Sequence, residues 1–148
     1  MTAIPTLSRG AGHGRPAAPV RIVHLGLGNF FRAHQAWYTE HAVDAAEWGI
    51  AAFTGRSSAM ADALRPQDGL YTLVTRGAAG DSFEVVSSIS AVHAADEHAA
   101  FLDYLRSPAL AVVTLTVTEA GYLRGPGGGL ALDRPDVAGD VAALRADA

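Results

Sequence analysis

The sequence contains no cysteine, no lysine and no long apolar run, and each shortage removes a class of function. Without cysteine there is no disulfide staple, no thiolate zinc site and no cysteine nucleophile, and the composition is compatible with a reducing cytoplasm, the location expected here. Positive charge is scarce. A net charge of -4 and a pI near 5.8 leave no basic surface able to gather affinity for nucleic acid by counterion release, so no such partner is expected. No stretch approaches the roughly 18 consecutive apolar residues that a membrane-spanning helix requires. The first nineteen residues also lack an apolar run of signal-peptide length. A soluble protein with no membrane partner is expected. What remains is ordinary for a globular chain: 148 residues, 49% apolar and 18% charged, enough for one substantial core.

Met1 to Pro19 are rich in Gly, Pro, Ala and Arg and read as a disordered leader, which places the folded domain at 20–148. From Val20 to Gly26 a β-branched run ends in glycine, as a buried parallel strand does. Asn29 to Ala46 carries apolar residues at helical spacing without Gly or Pro. Trp48 to Gly55 is a second short apolar run closed by glycine, which completes a βαβ unit. A helical piece at 59–64 stops before Pro66. Leu70–Arg76 and Phe83–Val92 then alternate like strands around Gly77–Asp81 and are expected to pair as a hairpin. Asp96 is the expected N-cap of a helix through Arg106, stopped by Ser107-Pro108. Leu110 to Val117 is the most β-prone run and is expected to be a central strand. Gly125 to Gly129 reads as a glycine-rich loop, and a last helix begins at Pro135. The fold class expected is α/β: a Rossmann-like doubly wound, mostly parallel sheet with a β-hairpin insertion, incomplete at its C-terminus.

Gly26-Leu27-Gly28-Asn29-Phe30-Phe31-Arg32 lies between the first strand and the first helix, where such a fold places its phosphate-binding turn. The chemistry there needs a tight turn at the first glycine and no side chain at the second, so that backbone N–H groups can approach a pyrophosphate. Gly26 and Gly28 meet that need. Phe31 stands where the third glycine of GxGxxG would be, and a GxG alone is equally compatible with a plain α/β turn. The helix and second strand that follow favour the dinucleotide reading. After that second strand, Thr54-Gly55-Arg56-Ser57-Ser58 lacks the carboxylate that accepts ribose hydroxyls in an NAD site. Arg56 and Ser57 suit a 2′-phosphate, which tilts the cofactor from NAD toward NADP; a solvated loop arginine is the alternative.

The run Ile22-Val23-His24-Leu25-Gly26-Leu27-Gly28-Asn29-Phe30-Phe31-Arg32-Ala33-His34-Gln35 resembles the IVHxGxGxFxRAHQ segment of the mannitol dehydrogenase family of long-chain polyol dehydrogenases and fructuronate reductases. Further likeness lies at Trp48-Gly49-Ile50, at 67–73 and at 114–122, so the resemblance spans about residues 20–148. It implies an NAD(P)-binding turn at 26–32 and a hydride transfer between nicotinamide and a sugar alcohol or keto-sugar in the full-length enzyme. It also implies a second, helical domain with a catalytic lysine. This chain has no lysine, so no catalytic residue is assigned within it.

Arg32, in the first turn of the helix, is a candidate phosphate contact, with a surface ion pair as the alternative. Thr118 and Glu119 leave the carboxyl end of the strong strand, where open α/β sheets bind ligands, and are candidates for the nicotinamide side; a strand-to-loop turn is the other reading. His34 and His41 are seven residues apart on the expected helix, too far to share a metal ion, and no metal site is expected. Phe30, Trp37, Tyr38 and Trp48 read as helix-to-sheet packing. Two rivals to the enzyme-domain reading are an inactive remnant or stand-alone nucleotide-binding module, and a purely structural α/β domain.

Overall fold

The computed structural model describes residues 6–147. They fall into two compact units, one ending at Thr116 and the other beginning at Val117. In chain order the first unit contains β1 (Val20–Leu25), α1 (Asn29–Ala33), α2 (Gln35–Glu40), β2 (Gly49–Phe53), α3 (Ala59–Leu64), β3 (Tyr71–Gly77), β4 (Gly80–Val86), β5 (Ile89–His93), α4 (His98–Arg106) and β6 (Val112–Leu115).

β5, β2, β1 and β6 form, in that order, a parallel sheet, and the Rossmann-like class expected from the sequence is what the chain adopts. The two middle strands are covered on both faces, which is why they read as unbroken apolar runs. On one face Ile22, Ile50 and Ala52 pack with Phe31 and Ala36; on the other Val23, Ala51 and Phe53 pack with Ala100, Phe101 and Tyr104 of α4. Each large side chain so buried contributes about 1.5–3 kcal/mol. The register pairs Leu25 with Phe53 and with Leu115, and Phe53 with His93. All four strands therefore end along one edge, the edge at which open α/β sheets bind ligands.

Several elements differ from the sequence expectation. The helix expected over 29–46 is two short ones, broken at His34 (φ -122°, ψ -85°) and ended at His41. Phe31 and Ala36 are both buried, yet residues five apart lie about 140° apart around a straight helix. The break turns both toward the sheet. The second strand of the expected hairpin is two strands: β4 pairs antiparallel with β3, while β5 leaves the hairpin and pairs parallel with β2. Between them Ser87 and Ser88 are fully buried; Glu40 accepts from the Ser87 backbone N–H and hydroxyl, and Ser88 donates to the Ala36 carbonyl. β6 pairs only with β1 among the described residues, an edge position rather than the central one its propensity suggested.

Residues 6–19 of the expected leader are among the described ones; residues 1–5 fall outside them. Arg9 donates through its guanidinium to the carbonyls of Ser87 (2.8 Å) and Ile89 (2.9 Å), and its backbone N–H donates to Asp68 (2.9 Å). Arg15 pairs with Glu40 at 3.4 Å. One amino group of the Arg9 guanidinium thus satisfies two backbone acceptors at the junction of β4 and β5.

Asp96 is not the cap of α4. That position is Glu97, whose carboxylate turns back to accept from the Ala94 N–H (3.0 Å), from His93 Nδ1 (2.8 Å) and from Arg65. The Ala94 N–H, then His93, then Arg65 hold this acid at about 2, well below its usual value. A depressed carboxylate contributes stability above its unfolded value, near 4.5, and loses it as pH falls toward 2. Glu97→Gln is therefore expected to lower the urea midpoint at pH 7, with the difference from wild type closing between pH 4.5 and 2; a constant difference across that window would refute the linkage.

The second unit opens with a 3-10 turn (Glu119–Tyr122). A bridge between Arg124 and Leu130 then closes the glycine-rich loop, and the unit ends in α5 (Pro135–Ala146). Arg134 pairs with Asp136 at 2.7 Å at the start of α5, and Ala131 and Val137 are buried. No helix among the described residues is long and apolar enough to cross a membrane.

Candidate functional site

The turn after β1 is built by backbone bonds. Gly26 N–H and Leu27 N–H both donate to the Phe53 carbonyl at 3.0 Å, which locks the turn to the end of β2. Gly28 N–H donates back to Gly26 O at 2.6 Å. Gly26 has φ +110°, and a Cβ there would lie 3.3 Å from Thr116, so the fold itself demands glycine. Gly28 is different: its backbone is extended, and a Cβ would meet no protein atom nearer than 3.7 Å. No neighbour among the described residues requires glycine at 28. The space its side chain would fill lies in an open cleft.

That cleft, about 410 Å³, is lined by Gly26, Leu27, Gly28, Thr54, Gly55, Arg56, Ser57, Met60 and Thr116. The structure thus brings together the turn and the Arg56–Ser57 corner, which sequence reading had linked only by analogy. One arginine and no carboxylate line it, a donor set that fits an anionic group and leaves room for a backbone approach. A neighbouring hollow of about 270 Å³ is lined by Arg56, Ser57, Ser58, Ala94, Ala95 and Asp96. Ala95 N–H donates to Thr54 Oγ1 at 3.0 Å and ties the loop after β5 to the end of β2. Met60, Ala94, Ala95, Asp96 and Thr116 are not among the sequence candidates. The pairing of β5 with β2 brings in three of them, Ala94, Ala95 and Asp96, and nothing local in the sequence separates that strand from the hairpin.

Phe31, at the place of the third glycine, is 1% exposed and stacks on His24 with ring centroids 3.7 Å apart. The third glycine normally lets helix and strand approach closely; here an aromatic pair fills that space. Leu27 is buried beside it. Phe30 does not pack on the sheet as expected: it is 65% exposed and stacks on His34. Tyr38 is exposed as well, while Trp37 and Trp48 pack against the core. The N–H groups of Asn29, Phe30 and Phe31, in the first turn of α1, have no backbone acceptor among the described residues. Arg32 folds back over that turn: Nε donates to Gly28 O at 3.4 Å, the guanidinium bonds Asn29 Oδ1, and its carbon lies 5.6 Å from the Tyr71 ring. Tyr71 donates to Arg32 O at 2.7 Å, and burial pushes its phenol above the usual range. The positive charge is held beside the turn rather than loose in solvent.

Thr118 and Glu119 belong to the second unit, where Thr118 stands at the head of the 3-10 turn. The β6-end residue that lines the cleft is Thr116, whose N–H donates to Leu25 O at 3.0 Å. His34 and His41 each bond a carbonyl of their own helical segment, Phe30 O at 2.8 Å and Trp37 O at 2.9 Å.

Comparison with known proteins agrees with this geometry. The family model described as mannitol dehydrogenase Rossmann domain matches residues 20–145. A mannitol 2-dehydrogenase of Pyrenophora tritici-repentis is 39% identical over 128 residues, covering 82% of this chain and 23% of the relative. The D-mannonate oxidoreductase of Escherichia coli K12 is 36% identical over 129 residues, covering 82% of this chain and 26% of the relative. A D-sorbitol dehydrogenase crystallised in substrate-free form superposes with a TM-score of 0.77 at 29% identity, over 93% of this chain and 32% of that one. The chain spans about a quarter of the length of these curated relatives. Sequence motif, sheet order and comparison converge: the chain belongs to the mannitol dehydrogenase family of oxidoreductases and carries its Rossmann domain.

Proposed function

We propose that this domain binds a nicotinamide dinucleotide with the pyrophosphate on the Gly26–Leu27–Gly28 turn. In this reading it is the cofactor-binding part of an oxidoreductase that moves a hydride between nicotinamide and a sugar alcohol or keto-sugar. The cleft in which the turn meets Arg56 and Ser57, with no carboxylate in its lining, carries the reading. The pyrophosphate oxygens are met by N–H groups at the start of α1 and by Arg32 beside the turn, while Arg56 stands across the cleft at the ribose corner. When bound, the cofactor supplies hydride acceptor or donor chemistry. The residues of this chain bind and orient it, and the proton-transfer group is not a lysine of this chain, which has none.

Within that reading the cofactor is NADP. Arg56 and Ser57 offer a guanidinium and a hydroxyl donor at the end of β2, the corner that receives the ribose, while the Ser58 hydroxyl donates to Asp62 at 2.9 Å. Asp96 lines the same hollow, and its negative charge limits how tightly a 2′-phosphate is held there. Isothermal titration with NADPH and NADH is the test. Arg56→Ala is expected to weaken NADPH by about tenfold, the loss of one charge-assisted contact, and NADH by less than about twofold. Tighter binding of NADH, unchanged by the substitution, would make Arg56 a solvated loop residue and the cofactor NAD. A folded chain that bound neither would overturn the dinucleotide reading.

A further inference from the structure

We propose that His24 is a positioning residue that holds the phosphate-binding turn in its binding-competent form through the carbonyl of Gly26, an inference that rests on the dinucleotide reading above. His24 lies on β1, two residues before the turn, and is 2% exposed. Its ring lies flat against Phe31, at an interplanar angle of 8°. Packing alone does not call for an imidazole, since a phenyl ring stacks there equally well. The two ring nitrogens are the reason for the choice.

Nε2 lies 3.2 Å from Gly26 O and 3.3 Å from Thr116 Oγ1; Nδ1 lies 2.8 Å from Thr114 Oγ1. A carbonyl oxygen only accepts, so Nε2 carries the proton and Nδ1 is the acceptor. Gln35 Nε2 donates to Thr114 Oγ1 at 3.0 Å, and of the two acceptors then open to the threonine hydroxyl proton, Nδ1 at 2.8 Å is far nearer than Val23 O at 3.5 Å. A chain of donors therefore runs from α2 through β6 to the ring and on to the turn. Its last acceptor, Gly26 O, also receives Gly28 N–H, while the next N–H, that of Leu27, is held by Phe53 O. With the Gly26 carbonyl drawn inward from both sides, the turn keeps Gly28 extended along the wall of the cleft. Burial lowers the proton affinity of His24, which suits the neutral ring that this pattern of bonds requires.

The first test is the tautomer, read from ring-nitrogen resonances of the 15N-histidine-labelled chain. The Nε2–H form is expected, and a dominant Nδ1–H form would overturn the proposal. The second test compares His24→Gln, whose amide reaches the place of Nε2, with His24→Asn, which stops short of Gly26 O. Both lose the stack on Phe31, so a merely structural role would make them equal. For His24→Asn, about five- to tenfold weaker binding of NADH and NADPH is expected, the loss of one hydrogen bond, together with faster exchange of the Gly28 amide. His24→Gln should stay within about twofold of wild type. Equal affinity and equal Gly28 exchange in a folded His24→Asn would overturn the proposal. If that variant does not fold, Thr114→Val examines the same relay: the ring loses its partner at Nδ1 and is held only at Nε2, so faster Gly28 exchange is expected with the Nε2–H tautomer kept. Unchanged Gly28 exchange would overturn it. A wild-type chain that binds neither dinucleotide defeats the dinucleotide reading, and the tautomer and exchange results still judge the control of the turn by His24.

Discussion

Gly28→Asp should abolish measurable dinucleotide binding while leaving the chain folded, and Gly26→Ala should do the reverse kind of damage. At position 28 an added Cβ meets nothing nearer than 3.7 Å and the backbone is extended, so the fold accommodates the side chain. The carboxylate would occupy the approach to the turn, and an anion beside an incoming phosphate costs several kcal/mol. Each 1.4 kcal/mol is a factor of ten, so a loss of about 100-fold or more is expected in titration with NADPH. At position 26 the φ of +110° and the 3.3 Å approach to Thr116 put the cost in the fold instead, on the order of 1–3 kcal/mol of stability. The two glycines of one motif thus serve different masters. If Gly28→Asp bound NADPH like the wild type, the cleft would not be the pyrophosphate site. If both variants merely unfolded, the distinction between a ligand glycine and a fold glycine would be lost.

Phe31→Ala should be among the most destabilising single changes in the first unit, at about 3–5 kcal/mol in urea unfolding. Phe31 is almost wholly buried, stacks on His24 and belongs to the cluster that joins α1 to Ile22 and Ile50. Truncation leaves a hole that the neighbouring strand residues cannot close, because β1 is held by parallel pairing on both sides. Phe31→Gly, although it restores the third glycine of the GxGxxG pattern, should be worse, since it adds the conformational freedom of glycine in a short helix. A loss below about 1 kcal/mol for Phe31→Ala would show that α1 is held by its turn and not by this ring.

The βαβ unit and its glycine turn were legible because their signals are local. Val20–Gly26 and Trp48–Gly55 are short apolar runs closed by glycine, and both became the doubly buried middle strands. The same logic misplaced β5, because nothing in Phe83–Val92 breaks the strand pattern: no glycine or proline marks the change of partner. What divides β4 from β5 is a pair of buried serines satisfied by Glu40 and Ala36, about fifty residues earlier in the chain. For the same reason Asp96 was read as a helix cap, when it lines the hollow beside Arg56.

The order of local elements, the glycine turn between β1 and α1 and the absence of a carboxylate after β2 are determined by the sequence alone, since they depend on backbone geometry and on which side chains are present within a few residues. Strand order, the edge position of β6, the anchoring of residues 6–19 by Arg9 and the meeting of Gly28 with Arg56 were decided only by the tertiary structure. Each of those depends on partners brought together from distant parts of the chain, where free energy is set by the burial and pairing of groups whose sequence separation carries no information about their contact.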